Sequence, residues 1–329
     1  MASSAAPSPH GFDLRGSICA LATPFRNGTV DWSALKRLCA WHLAEGTDGL
    51  VVCGTTAENP TLGPEERRGI ISTTVDVVAG RIPVIAGTGA SDTAATILAT
   101  QEATDLGADA ALVVTPAYNR PSPAGLLAHY KAVHDNTRLP IVLYTVPART
   151  GVDIDLDTLV SLAALERIIG IKDATSDMAR VSLTRRLCGA DFAQVSGEDG
   201  SAVGFNAHGG VGCISVTANV APRECAALQR ASLEGDRATA LALQDRLMPL
   251  HRALFAEASP QPTKYALAAR GLCTDEMRLP LVPASAPARA AVDAALAVAG
   301  LGPVDSGSRE SEGAEGSAMA GGHDAAAEA

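Results

Sequence analysis

Along most of this chain, short runs of apolar and β-branched residues alternate with longer stretches in which apolar positions return every three or four residues. The short runs are "SICALATPF", "GLVVCGTT", "IPVIAGTG", "ADAALVVTP", "LPIVLYTVP", "RIIGIKDAT", "DFAQVSGED" and "GGVGCISVT". Each has strand length, is apolar nearly throughout and stops at Gly, Thr, Pro or Asp, so each predicts a buried strand. Between them, "DWSALKRLCAWHLAEG", "PEERRGIISTTVDVVAG" and "SDTAATILATQEATDLG" read as helices, the first with an Asp cap and a closing Gly. Strands with no polar face must be covered on both sides, which means a parallel sheet wrapped in helices. Eight such units favour a closed (β/α)8 TIM barrel over an open doubly wound sheet, since about 200 to 250 residues suffice for one.

The same pattern divides the chain. The barrel is expected over residues 14–225, and a small C-terminal helical region over 226–301, because the sequence after the eighth strand is too long for one closing helix. Residues 1–13 and 302–329 hold almost no large apolar side chain and are expected to be disordered.

Composition narrows the function. A hydrophobic fraction of 47% in 329 residues is globular, and a formal net charge of -10 argues against a nucleic-acid or anionic-membrane surface. The seven cysteines are scattered and lie mostly in apolar runs, so they read as reduced core residues. No Cys or His spacing suggests a metal site, and no metal or cofactor is expected. The opening residues lack the basic and apolar regions of a secretory signal, and no run has transmembrane length. The expected location is the cytoplasm.

One residue breaks the apolar pattern. Lys172 stands inside "RIIGIKDAT", and it is one of only four lysines in the chain. An edge strand lets a lysine snorkel to solvent, but a closed barrel has no free edge. A desolvated lysine tends to lose its proton, and the neutral amine attacks a ketone to give an iminium that serves as an electron sink. In a barrel the chemistry sits at the C-terminal ends of the strands. The residues expected there are Thr55 and Thr56 after the second strand, Tyr118 after the fourth, Tyr144 and Arg149 at the fifth and Lys172 at the sixth. Tyr144 can shuttle a proton, Arg149 can clamp a carboxylate or form a surface ion pair, and the Gly54-Thr55-Thr56 turn offers N–H groups and hydroxyls to a second carboxylate.

"GTTAENPTL", "YTVPARTG", "GIKDAT" and "GCISVTAN", in this order and spacing, resemble the dihydrodipicolinate synthase / N-acetylneuraminate lyase family of Schiff-base aldolases over about residues 14 to 301. The resemblance implies condensation of pyruvate with L-aspartate 4-semialdehyde, in lysine and diaminopimelate biosynthesis, by a homotetramer built as a dimer of dimers. It implies that Lys172 forms the imine, that Tyr144 is the proton shuttle, and that Thr55 relays protons to Tyr118 of a neighbouring subunit. Thr55 and Thr56 would hold the pyruvate carboxylate and Arg149 that of the semialdehyde. Ile214 would line the floor, and Gly197 joins the substrate-binding positions. Two departures, Ala57 where the family has glycine and Thr145 where it has asparagine, leave open another pyruvate-dependent aldolase or dehydratase acting on a different aldehyde or sugar acid. A non-catalytic oxo-acid-binding paralogue is the third alternative. Gram-negative members are typically inhibited by lysine at the dimer interface, but the matching positions here are Asn59, Pro60, Pro64, Arg67, Ser91, Ala95 and Ala117, so inhibition is expected to be lost.

Overall fold

The structure, a computed structural model, describes residues 13–304. Eight parallel strands close into a barrel: β1 (Gly16–Ala20), β2 (Gly49–Val52), β3 (Val84–Gly87), β4 (Ala110–Val114), β5 (Ile141–Thr145), β6 (Ile168–Asp173), β7 (Ala193–Ser196) and β8 (Gly212–Ser215). Every strand pairs with its sequence neighbours, and the register Ile18↔Ile214 closes β1 onto β8. The TIM-barrel expectation holds.

Strand alternation separates two apolar layers. Ile18, Val51, Ile85, Leu112, Val142 and Ile214 belong to a cluster filling the barrel interior, while alternate residues such as Cys19, Val52, Val113 and Leu143 pack against the helices. Fully burying one aliphatic side chain of this kind contributes about 1.5–3 kcal/mol, and the two layers together contain most of the chain's large apolar residues. The helices form where their caps allow. In α1 (Trp32–Ala44) the Asp31 carboxylate accepts from Ala34 N, and Leu35, Leu38, Cys39 and His42 make the buried stripe.

The C-terminal division differs from the expected one. Helix α8 (Pro222–Glu234) is a single element packed on β1 and β8, so the barrel continues past residue 225. The appendage is α9 (Arg237–Ala253), α10 (Gln261–Ala269) and α11 (Ala286–Ala299), with α9 packed between α8 and α11. The terminal segments expected to be disordered lie outside the described residues, apart from Asp13 and residues 302–304. Those last residues are tied down: Gly302 O accepts from Arg270 Nε at 3.0 Å, and Val304 N donates to Arg270 O at 2.9 Å. All seven cysteines are unpaired and five are buried. Among the described residues no helix is long and apolar enough to cross a membrane.

Candidate active site

Lys172 sits next to last in β6, 6% exposed, and its Nζ lies 4.4 Å from the centroid of the Tyr144 ring. The two residues are register partners on β5 and β6, so the barrel itself sets their approach. The amine thus faces an aromatic ring and the interior apolar cluster, and Ile214 belongs to that same cluster. Alternation along β6 turns the next residue, Asp173, outward to the helix layer, where it meets Arg180.

The turn after β2 lies at the same end of the barrel. Cys53 leaves the strand at φ 54°, and Ala57 N donates to Gly54 O and Glu58 N to Thr55 O, both at 3.2 Å. Among the described residues, neither Thr55 N nor Thr56 N has an acceptor in the protein, which leaves two adjacent donors for an anion. β3 can pass behind this turn only because it ends in glycine: a Cβ on Gly87 would sit 2.3 Å from Cys53 O. Ala57 is buried and is not among the residues with positive φ, so its methyl group imposes no backbone strain here.

Arg149 lies in a one-turn helix, Pro147–Thr150, immediately after β5; it is exposed and forms no ion pair among the described residues. Gly197 follows β7 and donates its N–H to Asp173 O at 2.7 Å; a Cβ there would come 2.7 Å from the Ala174 Cβ. This glycine therefore lets the ends of β6 and β7 close up beside Lys172. Thr145 does not face the barrel interior. Its hydroxyl donates to Asp153 Oδ1 at 2.6 Å, a hydrogen bond behind the strand.

Tyr118 is not brought to the others in the single chain. It is 97% exposed at φ 68°, on a loop pinned by Asn119 Nδ2 to Ser91 O (2.9 Å) and by Arg120 Nε to Gly151 O (2.9 Å). No hydrogen bond joins Tyr144, Thr55 and Tyr118 among the described residues.

Sequence reasoning missed three features. Glu198, after β7, has its carboxyl pushed above the usual range by burial and by neighbouring Asp199, against the pull of Gly200 N–H and Lys172. Asp199 is buried and accepts from the Ser215 hydroxyl, from Val216 N at 2.9 Å and from Thr217 N at 3.1 Å, tying β7 to the end of β8. The acidic pair in "SGED" was the available signal. The third is Lys264, which follows a proline-rich bend in the sequence. It is 0% exposed, more deeply buried than Lys172, and its Nζ lies 2.8 Å from Glu58 Oε1. Burial alone therefore does not single out Lys172; the missing counter-ion does, because among the described residues no carboxylate pairs with Lys172.

The sequence matches the model of the dihydrodipicolinate synthetase family over residues 13–299. The chain belongs to that family. It is 57% identical over 288 residues to the 4-hydroxy-tetrahydrodipicolinate synthase of Cereibacter sphaeroides, covering 88% of this chain and 99% of that one. It is 56% identical, with the same coverage, to the protein of that name from Ruegeria pomeroyi. Among solved structures, dihydrodipicolinate synthase from Aquifex aeolicus superposes with a TM-score of 0.87 at 42% identity, covering 89% of this chain and all of that one. The Acinetobacter baumannii enzyme, solved in complex with pyruvate, gives 0.86 at 43% identity, covering 88% and 100%. This family membership makes the cluster around Lys172 the place to look for the chemistry.

Proposed function

We propose that Lys172 is the imine-forming amine of an enzyme that condenses pyruvate with L-aspartate 4-semialdehyde. The reaction is a carbon–oxygen lyase reaction of the Schiff-base type and belongs to the synthesis of lysine and diaminopimelate. The observation that carries the assignment is the buried Lys172 amine at a strand end, against Tyr144 and with no paired carboxylate among the described residues.

The neutral amine adds to the pyruvate ketone, and loss of water gives the imine. Removal of a methyl proton gives an enamine, whose carbon attacks the aldehyde. Attack by the semialdehyde's own amine then closes the ring, frees Lys172 and gives 4-hydroxy-tetrahydrodipicolinate. One water leaves per turnover. Tyr144 moves protons at the imine, while Thr55 and Thr56 bind the pyruvate carboxylate through their unpartnered N–H groups and hydroxyls. Ile214 forms the floor and Gly197 keeps the β7 end clear. Arg149, exposed and unpaired at the mouth, receives the semialdehyde carboxylate.

Tyr118 completes the relay in a neighbouring subunit. A nearly fully exposed ring on a pinned loop supports that reading, because no described residue of its own subunit covers it. The assembly is then a dimer at least, and a homotetramer built from two such dimers, working in the cytoplasm. Ala57 and Thr145 give no support to a different aldehyde: the first is unstrained and the second points away from the barrel interior.

Borohydride added with pyruvate tests the assignment. The reduced adduct should appear on Lys172, in a peptide running from Ile168 to Arg180 that trypsin no longer cuts internally. Lys264 should stay unmodified, and Lys172→Arg should abolish trapping because a guanidinium stays protonated. Adduct on another lysine, or none on active enzyme, rejects Lys172.

A further inference from the structure

The turn that carries Thr55 and Thr56 is held from behind by the C-terminal appendage. Glu58, two residues past Thr56, is 2% exposed and adopts φ 58°, an unfavourable conformation for a residue with a Cβ. Its backbone is the hub of the turn: Glu58 N donates to Thr55 O at 3.2 Å, and Thr61 donates to Glu58 O through both N and Oγ1, each at 3.0 Å. Its carboxylate leaves the barrel. Oε1 accepts from Lys264 Nζ at 2.8 Å and Oε2 from Arg278 N at 3.1 Å. Lys264 belongs to α10, and its Nζ also stacks 4.1 Å from the Phe25 ring centroid, whose ring the Arg278 guanidinium approaches to 4.3 Å. Arg278 Nη1 reaches Thr61 O at 2.9 Å, so both ends of the segment are fastened to the same appendage.

A buried ion pair is an expensive way to fill space, since well-packed apolar residues are often as stable. What it does supply is a fixed link between the turn and the appendage, because parting the two groups would strand a buried charge on each side. We propose that Glu58 and Lys264 are positioning residues that hold the Thr55–Thr56 turn in the shape that receives the carboxylate of the oxo acid. The C-terminal helical region is thereby a part of the site's support. This inference rests on the reading of that turn as the pyruvate carboxylate site.

The test is steady-state kinetics on the full-length enzyme with two variants, E58Q/K264M and Glu58→Asp. The first removes both charges together, which avoids stranding one of them. The second keeps the charge but draws the turn back by one methylene. Both should raise the KM for pyruvate about tenfold or more and, because Thr55 also belongs to the proton relay, lower kcat, while the KM for the semialdehyde stays within about twofold. Thr56→Val serves as the control on the underlying reading. If Thr56→Val leaves the pyruvate KM unchanged, the turn is not the carboxylate site. If it raises that KM and the two pair variants do not, the turn reading stands and the positioning role is rejected. A parallel rise of both KM values, or failure of both variants to fold, makes the pair a structural fastener and rejects the proposal as well.

Discussion

Arg180 stands directly behind Lys172 and Tyr144, and replacing it with methionine should damage stability and turnover together. It is 7% exposed, in the first turn of helix α6 (Met178–Cys188), where Asp177 caps the N-terminus. Its Nη1 donates to Asp153 Oδ2 at 2.6 Å, its Nη2 donates to Ile154 O, and its Nε lies 3.2 Å from Asp173 Oδ2, close enough to pair but poorly aligned for a hydrogen bond. Asp153 in turn holds the Thr145 hydroxyl. One guanidinium thus bridges the residues that follow Tyr144 and Lys172 in the chain. Without it, Asp173, whose side chain is 5% exposed, keeps a buried charge with no cation, a loss of about 3–5 kcal/mol. The Asp153 side chain is 39% exposed, so water replaces its partner and its share is at most about 1 kcal/mol. A total of about 3–6 kcal/mol lowers the melting temperature by roughly 4–9 °C for a chain of this size. The strand ends should also loosen, and a shift of about 1 Å between amine and ring costs on the order of a hundredfold in rate. Thermal melting and kcat of Arg180→Met check both, and Arg180→Lys should recover part of each loss. A methionine variant that melts within about 3 °C of the parent and keeps its kcat refutes the reasoning.

Three further outcomes follow from the same geometry. Arg149→Ala should lower kcat/KM for the semialdehyde by about ten- to a hundredfold, the worth of a charge-assisted carboxylate contact, with borohydride trapping of pyruvate nearly unchanged; equal loss of both would make Arg149 structural. His42 is fully buried, with Nδ1 2.8 Å from Thr47 Oγ1, and burial pulls its pKa down to about 3 from 6.5. The unfolded chain therefore takes up the proton first, so stability is complete above pH 6.5 and falls as pH drops from there toward 3, by about 1.4 kcal/mol per unit. Denaturant titrations at pH 7.5 and 5.0 should show that loss in the parent and a smaller one in His42→Gln. Turnover should be unaffected by lysine up to about 5 mM, because Ala95, Pro60, Pro64 and Ala117 offer no charged or hydroxyl contact and Arg67, with Nη2 3.3 Å from Gly87 O, places a like charge there; clear inhibition in a lysine titration would show a rebuilt site.

The sequence by itself determined the barrel and the chemistry at its mouth. Strand runs without a polar face require a covered parallel sheet, and eight of them favour closure. Once the sheet is closed, Lys172 cannot be an edge residue, and Tyr144 must come up beside it, because neighbouring strands pair in parallel with a narrow choice of register. These conclusions depend on local periodicity, which a linear chain displays openly. Only the tertiary structure decided which charges meet. Glu58 and Lys264 lie 206 residues apart, and nothing local in "TAENP" or "PTKYA" distinguishes a buried pair from two solvated side chains. Arg180 and Asp153 are 27 residues apart across two elements, and the helical pattern of "MARVSLTRRLC" gives no sign that its first arginine turns inward. Thr145 counted as a departure from the family pattern, and alternation on β5 turns its hydroxyl to Asp153. The helix boundary at residue 225 failed for a related reason: an amphipathic stripe says that a helix has a buried face, but not whether a barrel strand or another helix will cover it. Specific partners of polar groups are set by three-dimensional proximity, and the apolar pattern that folds the chain places few constraints on them.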